Sequence, residues 1–170
     1  MTEHEPMNPT VAAGLRMLEE PTNPGTAAMV VRYRKPELRP SKSKGIVPLA
    51  KSDIMVSAVH VVRSGGETSF HVHTGMDGLW FVLKGRARFY TGEANSKGDK
   101  LISELGPFEG VFLPRGVPYW FEQTGDEELE ILQVEAFAKG EKNRTVILGP
   151  PGGSRNMELI QQDGQRIEIE

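Results

Sequence analysis

From Ile46 to Phe137, short runs rich in Val, Phe, Leu and Ile recur at close intervals, separated by clusters of Gly, Pro and Asp. Apolar runs of this length, bounded by turn residues, are the pattern of a β-sandwich or barrel. The runs predict strands over Met55–Val62, Ser69–His73, Leu79–Leu83, Ala87–Thr91, Lys100–Glu104, Gly110–Leu113, Tyr119–Gln123 and Leu129–Phe137. Turns between them are marked by Ser64-Gly65-Gly66, Lys84-Gly85, Gly92 to Gly98, Pro114-Arg115-Gly116 and Thr124-Gly125-Asp126, where Gly, Pro and Asp supply the backbone angles that strands lack. No stretch carries the 3.6-residue periodicity of a helix of three turns. The fold class is therefore expected to be all-β.

The two ends read differently. Residues 1–45 are expected to form an N-terminal arm and an edge strand, 46–140 the barrel, and 141–170 a C-terminal extension. Within the arm, Val11, Leu15 and Leu18 have helical spacing until Pro21 stops it. Ala27–Tyr33 is apolar and β-prone and gives the predicted edge strand, which could cross to a partner copy. Lys35–Gly45 is basic, is broken by Pro36 and Pro40, and reads as a solvated loop. Gly149-Pro150-Pro151-Gly152-Gly153 shares glycines with a phosphate loop but lacks its Lys-Ser/Thr ending. It reads as a linker into Asn156–Glu170, a segment able to add a strand.

Composition narrows the chemistry. A chain of 170 residues fits one domain. Its net charge of -3 gives no general attraction to a phosphate backbone or an anionic bilayer, so the partner expected is a small molecule, not nucleic acid or membrane. The absence of cysteine removes disulfides, thiolate catalysis and Cys-based zinc sites, so a metal would need N or O ligands. Met1-Thr2-Glu3-His4-Glu5 has no basic start leading into an apolar run, and no stretch is apolar for the length of a spanning helix. A cytoplasmic location is expected, and Asn143-Arg144-Thr145 then matches a glycosylation acceptor by coincidence.

His71-Val72-His73 is the strongest chemical signal, because residues two apart on a strand face the same way and can bring two imidazoles to one ion. Two ligands alone hold a metal weakly, so the surroundings matter. Gly65 precedes the pair, Asp77 follows it, and Leu79–Gly85 closes the segment as a strand and tight turn. His60 lies on the preceding strand and reads as a hydrogen-bonded core or surface histidine.

The stretch GGETSFHVHTGMDGLWFVLKGRARFY resembles the first motif of the cupin superfamily, and Glu109 to Gly125, with its turn Pro114-Arg115-Gly116-Val117-Pro118, resembles the second. Together the motifs cover about residues 55–137 and imply a cupin jelly-roll β-barrel. They also imply a divalent metal (Fe first, then Zn, Mn or Ni) on a set of three histidines and one glutamate. Two departures stand out. Counting back from Gly85 puts Gly78 at the glutamate position, whereas counting forward from His73 puts Asp77 there. At the second-motif histidine stands Tyr119, and at the asparagine after it stands Gln123. The expected metal residues are thus His71, His73, Asp77 and Tyr119. Tyr119 has three readings: a ligand, an acid/base or hydrogen-bond donor to substrate (the catalytic candidate), or a plain pocket wall. Oxygens of Glu109, Gln133 and Glu135 are further candidates for the metal.

Strand phase outlines the pocket. If Tyr119 faces inward so do Phe121 and Gln123, and if position 78 does so do Trp80 and Val82. Trp80, Val82, Phe121, Gln123 and Gln133 are the expected substrate-binding residues, and such a lining suits a flat or partly apolar molecule. Arg115 stands at the mouth. The function expected from the resemblance is a metal-dependent enzyme on a small organic molecule, first a dioxygenase-type oxidoreductase. Metal-assisted isomerase, cyclase or lyase chemistry and non-catalytic binding are the alternatives. A homodimer is expected through the outward phase of Leu132 and Val134.

Overall fold

The computed structural model describes residues 28–149 and 156–168. Twelve strands make two sheets: β1 (Lys44–Lys51), β2 (Met55–Val62), β3 (Phe70–His73), β4 (Met76–Lys84), β5 (Arg86–Thr91), β6 (Lys100–Leu105), β7 (Gly110–Leu113), β8 (Tyr119–Thr124), β9 (Leu129–Phe137), β10 (Thr145–Gly149), β11 (Met157–Ile160) and β12 (Arg166–Glu168). One sheet has the order β12-β11-β1-β2-β9-β4-β7 and the other β10-β3-β8-β5-β6. Every interior strand pair is antiparallel except β1 with β11. No described residue lies in an α-helix, and none lies in a helix long and apolar enough to cross a membrane.

The eight predicted strands are β2 to β9, and the expected all-β jelly roll is the fold found. Four strands lie outside that set. β1 begins inside the stretch expected to be a solvated basic loop, and β10, β11 and β12 come from the C-terminal extension. The edge strand expected over Ala27–Tyr33 is not formed: residues 28–43 join no sheet. Hydrogen bonding explains the difference, because this segment is tied down by side chains instead of a ladder. The Tyr33 hydroxyl donates to Glu130 at 2.7 Å, and Lys35 pairs with Glu128 at 2.5 Å. The helical spacing at Val11, Leu15 and Leu18 and most of the linker after Gly149 lie outside the described residues.

Alternation of side chains fills the space between the sheets. Val62, Trp80, Val82, Phe89, Leu113, Tyr119, Phe121, Leu129 and Ile131 form the main core, with Trp80 tilted against Phe121 and Phe89 stacked on it, both at 4.9 Å. Burial on this scale stabilises by about 1.5–3 kcal/mol per large side chain. Two glycines are required by geometry. Gly98 has φ +63, and a Cβ there would meet the Phe70 ring at 2.6 Å. Gly116 has φ +81 in the Pro114 turn and donates its N–H to the His73 carbonyl at 2.7 Å, which fixes the second motif against the first.

Candidate functional site

β3 and β8 meet in register at His71 and Tyr119. This places His71, His73 and Tyr119 on one inner face, with ring centroids 4.9 Å apart between the histidines and 4.5 Å between His71 and Tyr119. The opposing wall comes from β2, β9 and β4, whose inward residues at this level are His60, Gln133, Glu135 and Trp80. Expected neighbours in the sequence have thus become neighbours in space, except for two.

Asp77 is a correction. It shares the face of Leu79, opposite in phase to Trp80, and its Oδ1 accepts the Arg115 backbone N–H at 2.9 Å. Pairing of Asp77 with Ala136 in a regular ladder leaves no bulge to turn the carboxylate inward. Gln123 is the second correction, since its amide donates to the carbonyls of Thr124, Gly125 and Glu127 and closes the β8–β9 turn. Val82 and Phe121 are fully enclosed in the main core, so they support the wall of the site. Glu109 is exposed and accepts from Gly106 N–H at 2.6 Å.

Gly78, at the other counted position, does face inward. It pairs directly with Glu135 across to β9, and a Cβ built on it would meet nothing closer than 3.9 Å. The inward-facing carboxylate at this level therefore comes from the adjacent strand β9. Glu135 Oε1 lies 3.6 Å from His73 Nε2 and accepts from the Gln133 amide at 2.5 Å. Gln133 in turn accepts from His60 Nε2–H at 2.6 Å, which leaves His60 Nδ1 as a buried lone pair with no partner.

The histidines are held from outside the site. His71 Nδ1–H donates to the Ser69 carbonyl at 2.6 Å, so its Nε2 is the bare nitrogen. His73 Nδ1 shares a hydrogen bond with the Thr145 hydroxyl at 3.1 Å. Burial lowers the His71 pKa to about 4, with the Lys44 charge adding to it against the Ser69 bond. Burial and then His71 lower His73 to about 3. Burial raises Glu135 to about 7 against the Gln133 hydrogen bond. For Tyr119, burial and the Glu135 charge raise the pKa while the Trp80 bond opposes them. Tyr119 is thus a neutral phenol here, accepting from Trp80 Nε1–H at 3.2 Å and keeping its own proton to donate.

Lys44 is the site residue that the sequence reading missed. As the first residue of β1, it pairs with Val62 and Met157 and turns onto the inner face with Ile46. Its amine stands 5.4 Å from the centre of the Phe121 ring. The signal was its two-residue offset from Ile46, hidden by the lysines and Pro40 before it.

Residues 58–135 match the family model of the cupin domain. The barrel of this chain is a cupin domain. Among solved structures, TT1209 from Thermus thermophilus is similar at 23% identity and TM-score 0.51, over 61% of this chain and 90% of that one. BH2720 from Bacillus halodurans is similar at 16% identity and TM-score 0.51, over 64% and 80%. A cupin superfamily protein from Desulfitobacterium hafniense follows at 20% and 0.49, over 61% and 84%. No curated protein sequence matches the chain. Likeness at these identities extends to the fold and not to the chemistry.

Cupins often bind a metal, and the donors of this cupin can be compared with that need. Among the described residues, no group of three or more His, Asp or Glu side chains is placed to hold an ion as it stands. The donors nonetheless fit one in kind. Two neutral imidazoles sit beside one carboxylate, and each imidazole has its outer nitrogen engaged by an oxygen, the arrangement that orients metal-binding histidines.

Proposed function

We propose that this cupin is a metal-dependent enzyme acting on a small organic molecule, with His71, His73 and Glu135 holding a divalent ion and Tyr119 facing the substrate. The observation that carries the reading is the 3.6 Å approach of His73 Nε2 to Glu135 Oε1, made in the space left by Gly78. Two histidines and one carboxylate are the donor set of non-haem iron sites, which places iron before zinc, manganese or nickel. When bound, such an ion activates dioxygen beside the substrate or polarises a carbonyl.

The chain's own residues supply the rest. Tyr119 is fixed by Trp80 and presents its phenolic proton to a substrate oxygen. Gln133 holds Glu135 through one hydrogen bond and His60 through another, so the carboxylate is oriented by its neighbours on the wall facing the histidines. Trp80, buried beside both, excludes water from that wall. Dioxygenase-type oxidation of a flat or carbonyl-containing molecule in the cytoplasm is the reaction we put first, while isomerisation, cyclisation or elimination would use the same groups.

Elemental analysis of the purified protein tests the reading. Near-stoichiometric metal is expected, lost in His71→Ala and His73→Ala, sharply reduced in Glu135→Gln and unchanged in Asp77→Asn. Tyr119→Phe should keep the metal. A protein that takes up none of Fe, Zn, Mn or Ni on reconstitution would overturn the enzyme reading in favour of a small-molecule binder.

A further inference from the structure

Lys44 is a buried cation with no counter-charge among the described residues. It is 8% exposed, yet no carboxylate or carbonyl among the described residues pairs with its amine, which stands over the Phe121 ring at 5.4 Å. No acid acts on it: burial alone lowers its pKa, to about 8. The titratable groups it faces across the interior, His60 and His71, are kept neutral by burial first, with its charge adding to that effect. An unpaired ammonium inside a barrel is strongly disfavoured relative to one in water. The neighbouring inward positions on β1 and β11, Ile46, Met157 and Leu159, show that an apolar side chain packs there without that cost.

We propose that Lys44 is the binding residue for the carboxylate of a small organic acid that enters the barrel interior beside His71 and Phe121. The acid would supply the counter-charge the fold leaves out, and the desolvated ammonium would bind it more strongly than a surface lysine could. The low charge of the surroundings makes the site selective for an anion over the neutral amide of the same shape. This assignment does not depend on the metal. It turns the basic residue at the head of β1 into the specificity determinant of the pocket.

Thermal unfolding of the full chain in EDTA tests it, with benzoate, acetate or oxalate compared with benzamide and acetamide at equal ionic strength. At least one carboxylate should raise Tm by about 3 °C or more at saturating concentration, and the amides should not. Lys44→Met should abolish the shift and, freed of the buried charge, unfold at a higher temperature than the parent without ligand. Should that variant fail to fold, the Lys44 ε-methylene in carbon-13 lysine-labelled parent protein gives the same answer, moving with the carboxylate and not with its amide. A parent protein indifferent to all three acids, or a Lys44→Met variant that responds as the parent does, overturns the proposal. Because EDTA removes any metal contribution, failure here leaves the metal reading standing, and the reverse also holds.

Discussion

His60 carries a cost that depends on pH. Burial holds its pKa well below 6.5, the Lys44 charge adds to this, and the Gln133 hydrogen bond opposes both. In the unfolded chain the same ring takes a proton near pH 6.5. Below that pH the unfolded state therefore binds the extra proton, so stability falls as pH falls and is level above it. The denaturant midpoint should drop between pH 7.5 and pH 5, and His60→Gln should reduce that drop without removing it, since other buried histidines contribute. An equal drop in parent and variant would show that His60 is not the source. Phe108 offers a second case at this scale, with φ +66 in an otherwise glycine-favouring conformation and a side chain 79% exposed. Phe108→Gly should leave stability unchanged or raise it by about 0.5–1 kcal/mol, read from the same denaturation curves.

At the scale of elements, β8 and β9 build the site because one supplies Tyr119 and the other supplies Gln133 and Glu135. Both were legible in the sequence, as their apolar alternation is regular and bounded by Gly116 and Phe137. β1 was not, since Pro48 and flanking lysines break the apolar run in KGIVPLAK. β11 and β12 were legible only as one added strand, because Glu158 and Arg166 look like surface residues. In the fold they pair: Arg166 donates to the fully buried Glu158 at 2.7 Å, and Arg39 approaches the same carboxylate. Arg166→Met removes the closer partner of a buried charge and should destabilise the chain by about 3 kcal/mol in equilibrium unfolding. A change under about 0.5 kcal/mol would mean that Arg39 and solvent suffice.

For the whole molecule, the sheet phases leave one apolar outer face. Ile131 and Gln133 point inward, so Leu132 and Val134 face out, and Leu79 pairs across the sheet with both Val134 and Phe112. Phe112 is 60% exposed on β7, the edge of the seven-stranded sheet. An apolar edge of this kind invites a second copy, which a two-fold axis would close without leaving a further edge. We expect a homodimer in light scattering at micromolar concentration, and a monomer for Phe112→Glu. A monomeric parent would refute this.

The sequence by itself determined the class of fold, eight of its strands and the pairing of His71 with His73, because each of these follows from local spacing: period two along a strand and turn residues between strands. It also turned Tyr119 toward the histidines, but it left Asp77 and Gly78 as rivals for the inward position of β4. The tertiary structure alone decided which oxygen stands beside the histidines. Asp77 is near them in the chain but lies on the wrong face of β4, whereas Glu135 is distant in the chain and arrives through the β4–β9 register. The same holds for Lys44, whose burial is created by β11 and Phe121, residues that no local pattern links to it. Phase along one strand can be read from one strand, but a neighbour across a sheet exists only once the register is set.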